Sequence, residues 1–396
     1  MSVRERHTMT EQKSLKRLVR SRMERTGESY TTARRHVLAN APRSAGGGLM
    51  HDSALLRNAL GDGWSEAMLA GLAGGIGFMY FVFEYKELKA PTMTIVARHH
   101  PDPFIPAALR NAGIEHQVTT TGSVRKAEKA LREATGTVIC TVDRTKLPWH
   151  GLTGEWGPEP YPVGVQGLDG DTVLVDDECL QPNPLPLADF LAAWGKKHEM
   201  ITIGAATGKP DVRTAVSTTV AHLTGPVLGN NFDVNFGFSG MRKLAAEMRD
   251  VKGKKGWSQR WATPGAEFFV LRRLHDCLEV EYTAPSATRQ LYADFLREAG
   301  LPGVTEFEAA GRIWSDVAAR SIGAMPVLQE YEQLVTERMR LMISGGAAVA
   351  DEVRALGSRM SGLAERATPV QAGLYVELAD LVDEARELEE KAVGQL

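Results

Sequence analysis

Cysteine is scarce in this sequence, and the scarcity is informative. Three thiols among 396 residues, Cys140, Cys179 and Cys277, are too few and too widely spaced for a disulfide framework or a CxxC metal pair. That usage fits a reducing compartment, so a cytoplasmic location is expected. Charge of one sign is lacking too: the formal net charge is -3, which gives no reason to expect nucleic acid or membrane as a partner of the whole molecule. The basic N-terminus has no apolar h-region, so no secretory signal is read there. The uncharged run Ala67 to Phe83 falls short of the roughly 20 residues a membrane helix needs. Gly74, Gly75 and Gly77 interrupt it, and a buried helix followed by a buried strand is the expectation.

Ligand-binding signatures are missing as well. "GAATGKP" (Gly204 to Pro210) is one residue short of a phosphate-binding loop and has proline where a Mg²⁺-binding Ser or Thr belongs. "GGIGF" lacks the third glycine of the dinucleotide fingerprint and precedes a strand instead of following one. The adjacent His99 and His100 of "ARHHPDP" point to opposite sides of an extended chain and cannot both face one metal. No Gly-x-Ser-x-Gly elbow occurs. No cofactor and no metal are expected from these motifs.

What is present divides into three parts. Residues 1–40 carry a net excess of roughly six basic charges, and "KSLKRLVRSRMERTG" followed by "ESYTTARRHVLA" reads as a helical hairpin. "NAPRSAGGG" links it to the rest, giving a segment 1–42 that could contact phosphates or an acidic protein. From 43 to 210, helices at 51–60 and 65–73 are followed by strand patterns in "GFMYFVFEY", "TMTIVARH", "EHQVTTT", "GTVICTVD" and "HEMITIG". "YPVGVQGLDGDTVLVDD" reads as a hairpin turning at Asp169-Gly170. Helices precede strands and late strands pair as a hairpin, so an α+β fold is expected. Residues 211–396 read as helical throughout.

Chemistry-bearing residues cluster in four places. "MHDSALLRNAL" sets His51, Asp52 and Ser53 at the start of a helix, where free N–H groups stabilise negative charge; a plain structural cap would look the same. "CTVDRTKLPWHG" brings Asp143, Trp149 and His150 off the end of a buried strand. "LVDDE" ends the hairpin with Asp176 and Asp177, either of which could orient a histidine. "GNNFDVNFGFSG" groups Asn230, Asn231 and Asp233 between aromatics, as a recognition loop or a helix-joining turn.

The order "HDSALLRNAL…WSEAMLAGLAGGIGFMYFVFEY", "VDRTKLPWHG" and "YPVGVQGLDGDTVLVDD" resembles the N-terminal domain of the butirosin biosynthesis protein H family. The helical remainder is similar to the domain of unknown function that often follows it. The resemblance implies a papain-like fold and an acyltransferase of specialised metabolism, one that moves an aminoacyl group from a carrier-protein thioester to an amine. Such chemistry needs a thiolate at the helix start, a histidine heading a strand, and an Asp or Asn behind it. Here the helix opens with Met50-His51-Asp52-Ser53, and Tyr161 or Pro160 stands where the hairpin histidine belongs. Asp176 or Asp177 keeps the last position.

Three readings follow. Ser53 could act as nucleophile, with His51 or His150 as base and Asp176 or Asp177 orienting it. His150 or Asp52 could deprotonate an amine directly, without a covalent step. Or the fold could bind a metabolite or carrier protein without catalysis, with Asp143, Trp149, Tyr161, Asn230, Asn231 and Asp233 lining the pocket. The expected partners are an acyl carrier protein and a small-molecule amine, with nucleic acid only through residues 1–42, no membrane, and a possible homo-oligomer.

Overall fold

A computed structural model describes residues 48–61, 63–85, 90–152 and 157–396, together with positions 20, 23, 27 and 29. The expected hairpin at 1–42 lies almost wholly outside the described residues. The rest is α+β, sheet-rich to about residue 206 and helical beyond it.

The chain enters through two helices, α1 (His51–Leu60) and α2 (Glu66–Leu72), and turns on Gly74 and Gly75 into β1 (Ile76–Phe83). Both glycines have positive φ, +101° and +60°, the conformation that favours a residue without Cβ. The uncharged run is therefore a buried helix and a strand that is buried over its first part and reaches the surface at Phe83. No described helix is long and apolar enough to cross a membrane. β1 pairs antiparallel with β2 (Thr92–Arg98) as a separate two-stranded sheet.

Helix α3 (Phe104–Asn111), β3 (Ile114–Thr119), α4 (Val124–Glu133) and β4 (Val138–Asp143) follow, then β5 (Pro160–Asp169), β6 (Thr172–Asp176), β7 (Asn183–Pro186), α5 (Leu187–Ala193) and β8 (Met200–Ala206). Six strands form one antiparallel sheet in the order β3-β8-β4-β5-β6-β7. The β5–β6 loop falls one residue later than the sequence suggests: Asp169 pairs with Thr172, leaving Gly170 and Asp171 between them. Gly170 has φ +59° at the first loop position, where a II′ turn takes glycine. β7, which the sequence pattern did not reveal, is an edge strand, the place where Pro184 and Pro186 cost no ladder bond.

The helical part comprises α6 (Val212–Thr224), α7 (Gly237–Arg249), α8 (Trp257–Arg260), α9 (Pro264–Glu279), α10 (Arg289–Glu298), α11 (Val304–Gly323), α12 (Pro326–Gly345), α13 (Ala350–Ser361) and α14 (Leu374–Val393). Two apolar cores result. The smaller lies under the six-stranded sheet and includes Val142, Trp149, Val163, Phe190 and Trp194. The larger joins α1, α2, the β1–β2 pair and α3 to the helices after residue 211. At its centre the fully buried Arg289 donates to both carboxylate oxygens of Glu389, at 2.8 and 2.9 Å, and to the carbonyl of Ala97 in β2.

Candidate functional site at the start of the first helix

The start of α1 is fixed by a buried carboxylate from α2. Glu66, 2% exposed, accepts from the backbone N–H groups of Leu49 and Met50, both at 2.8 Å, and from the Ser53 hydroxyl at 3.0 Å. Of these, the N–H of Met50, the N-cap, is a donor that a helix start leaves unpaired. Burial raises Glu66 to about 7, against the pull of Arg57, the Met50 N–H and Ser53. Ser53 is fully buried, and its hydroxyl also donates to the Met50 carbonyl. Its bonds run to Glu66 and the backbone rather than to a histidine. Asp52 forms an ion pair with Arg98 at 3.2 Å.

His51 turns the other way, toward the hairpin. Its Nδ1 lies 2.5 Å from Glu178 Oε1 and its Nε2 lies 2.6 Å from the Pro162 carbonyl. Both partners can only accept, so the ring satisfies them best with both nitrogens protonated. Burial alone would lower its pKa; the Glu178 hydrogen bond and the charges of Glu178, Asp177 and Asp52 outweigh burial and raise it to about 9. Glu178 completes its own bonding by accepting from Gly48 N–H. It holds φ +58°, a backbone setting uncommon for a residue with a side chain.

Tyr161, on β5, lies against His51 with ring centroids 4.1 Å apart. Its hydroxyl donates to Asp177 Oδ1 at 2.9 Å and lies 3.1 Å from His51 Nδ1. Asp177 Oδ2 accepts from Trp149 Nε1 at 2.6 Å and from His150 Nε2 at 2.8 Å. Burial works against this anion, but His150, His51 and Trp149 overcome it and hold Asp177 well below the usual carboxylate range. His150 is pushed down, first by burial. The Arg144 guanidinium lies 5.2 Å from the centre of the Tyr161 ring and pairs with Glu159, while Arg338 donates to the His150 carbonyl. The Asp177 and His150 side chains are 2% and 3% exposed, against 19% for His51 and 17% for Glu178. His51 and Glu178, with the half-buried Tyr161, are the members of the constellation that reach solvent.

The structure thus brings His51, Trp149, His150, Tyr161 and Asp177 together. Asp176 stands aside, accepting from Asn58 and Gln166 side chains and from the Glu178 N–H. Asp143 accepts from Thr145 and from the Glu159 N–H. Asn230 and Asp233 cap a short 3-10 turn at 231–235, with Asp233 accepting three backbone N–H groups; Asn231 opens that turn, exposed. That turn carries the hydrogen bonding of a helix-joining loop. Sequence reasoning missed Glu66 and Glu178. Glu178 follows the two carboxylates that were singled out, and its neighbour position was the available signal. Glu66 carries no local signal, since its partners lie across the chain.

None of the three cysteines is a thiolate candidate. Burial raises Cys140 and Cys277, and pushes Cys179 up to about 12. A cavity of about 310 Å³ lies elsewhere, between α6, α7 and α14, lined by Leu223, Phe236, Phe238, Arg242, Glu390 and Val393. None of the residues gathered around Asp177 lines it.

A helix start facing an antiparallel hairpin, with an aspartate behind the hairpin's first residues, defines the class of site. Residues 52–178 match the family model described as butirosin biosynthesis protein H, N-terminal. The match covers a minority of the chain, from the start of α1 to Glu178, and includes the whole constellation except His51. The helical region after it agrees with the helical domain expected there. A search of curated proteins gave no match.

Proposed function

We propose that this chain is an acyltransferase-like protein of specialised metabolism whose papain-like pocket has lost covalent chemistry and binds an acyl carrier protein or a small amine. The observation that carries this reading is the bonding of Tyr161. Tyr161 or its neighbour Pro160 stands where the family resemblance puts the hairpin histidine, and Tyr161 is bonded to Asp177 and stacks on His51. A tyrosine there cannot serve as the base that activates a nucleophile, and burial raises its hydroxyl pKa well above the ordinary value.

The other groups support the same reading. A serine nucleophile must also reach its substrate, and Ser53 is fully buried, its hydroxyl held between the Glu66 carboxylate and the Met50 carbonyl. His51, cationic at neutral pH, has no free lone pair with which to accept a proton. The Asp52 carboxylate is engaged in an ion pair with Arg98. His51 and Glu178 are partly open to solvent, a charged pair suited to a polar partner.

Intact-mass measurement on the chain incubated with aminoacyl N-acetylcysteamine thioesters tests this. The expected result is no mass gain and thioester hydrolysis at the background rate, with and without an aminoglycoside acceptor. An adduct that Ser53→Ala abolishes overturns the reading in favour of a serine acyl-enzyme. Amide formation above background without an adduct overturns it in favour of direct transfer.

A further inference from the structure

The geometry points to a binding site for a single divalent transition-metal ion, of the zinc type, formed by His99, Asp102 and His222. His99 and Asp102 are three residues apart, and the fold brings His222 to them from far along the chain. His99 directly follows β2, Asp102 sits in the turn before α3, and His222 lies in the last turn of α6. Both imidazoles present Nε2 to the same carboxylate oxygen: His99 at 3.2 Å and His222 at 3.9 Å from Asp102 Oδ2. The rings lie 4.2 Å apart between centroids, and ligand atoms of all three residues fall within 4.8 Å of one another.

Those separations decide between an ordinary ion pair and a metal site. Nitrogen and oxygen donors roughly 2.0–2.1 Å from a tetrahedral ion lie about 3.3 Å from each other. The observed spacings bracket that value, whereas 3.9 Å is too long for the His222 nitrogen to hydrogen-bond the carboxylate. A cation between the three atoms satisfies both nitrogens and the oxygen at once. Two imidazoles and one carboxylate are the donor set that zinc and its first-row neighbours take, with a position left for water. That position faces outward, since the Asp102 side chain is 57% exposed while His99 is 1% and His222 16%.

The Nδ1 atoms of His99 and of His222 are buried and make no hydrogen bond, so each ring turns only Nε2 toward the shared carboxylate. The backbone is shaped to admit the His99 ring. A Cβ on Gly74 would lie 2.6 Å from His99 Cγ, and the Gly74 carbonyl is held by the Thr219 hydroxyl of α6 at 2.6 Å. The same helix thus supplies His222 and fixes the floor under His99. The sequence argument that His99 and His100 cannot share a metal stands: His100 has no part in the cluster, and the second imidazole comes from α6.

The test uses the full, untagged chain stripped with a chelator and titrated with Co(II), followed by visible absorption, and with Zn(II) in competition with a chromophoric chelator. Wild type is expected to bind one equivalent, with the intense visible bands of low-coordinate cobalt. His222→Ala should abolish that binding, Asp102→Asn should weaken it at least tenfold, and His100→Gln should leave it unchanged. Circular dichroism and the metal-free melting temperature establish that each variant folds. If His222→Ala does not fold, His222→Gln, which keeps the bulk but not the imidazole, is read instead. Failure of wild type to bind either metal, or binding that survives loss of the His222 imidazole, overturns the site.

Discussion

At the scale of single residues, Ser53 and Tyr161 make opposite predictions from those a catalytic site would give. Ser53→Ala removes one hydroxyl whose acceptors keep other donors, so it should cost about 1 kcal/mol in urea unfolding and change no reactivity toward thioesters. Tyr161→Phe removes a donor to the buried Asp177 and should cost about 1–3 kcal/mol. His51 gives a pH signature. Its folded pKa of about 9 exceeds the ordinary 6.5, so its contribution is complete below 6.5 and is lost as pH rises through 9. Urea midpoints of wild type should fall across that window, and His51→Gln should flatten the fall. A midpoint that is level from pH 6.5 to 9 in wild type would remove the cationic assignment.

At the scale of elements, the first helix begins where α2 lets it. Glu66→Ala deprives Leu49, Met50 and Ser53 of a shared acceptor in a buried place, and a loss of about 3 kcal/mol or more is expected from equilibrium unfolding. The same carboxylate has its own pH window. A folded pKa raised to about 7 from 4.5 makes the folded state bind the extra proton, so the contribution of this group is complete below 4.5 and is lost as pH rises through 7. Glu66→Gln should erase that lower window and leave the His51 window in place. Much of the element pattern was legible in the chain itself. Period-two runs such as "TVLVD" and the amphipathic "VRKAEKALRE" became β6 and α4, because alternation and helical spacing reflect burial on one face. The "NPLP" edge strand was not legible, since proline argues against a strand until its edge position is known.

At the scale of the whole molecule, the core does not stop near residue 210. The β1–β2 pair packs into the helical half, and the Arg289–Glu389 pair ties Ala97 of β2 to α10 and α14. Glu389 also accepts from Trp314 Nε1 at 2.8 Å. Removing one partner of a buried ion pair leaves an uncompensated charge, so Glu389→Ala should cost about 3–5 kcal/mol. Because that charge faces both halves, tryptophan fluorescence and far-ultraviolet circular dichroism should lose signal in coincident transitions. Separate transitions for the sheet-rich and helical parts would show that the shared core does not couple them.

The sequence by itself determined the α+β class, the helices at 51–60 and 65–73, the late hairpin, and the absence of a family-type thiol at the helix start. These are properties of local pattern and residue identity, and no folding is needed to read them. Only the tertiary structure decided what the polar groups do. Asp177 rather than Asp176 holds His150 and Tyr161, because consecutive side chains along an extended chain point to opposite sides. Glu66 claims Ser53, and His222 joins His99, across 13 and 123 positions of chain. Such pairings depend on which faces the two cores bring together, and that is settled by packing the whole chain at once.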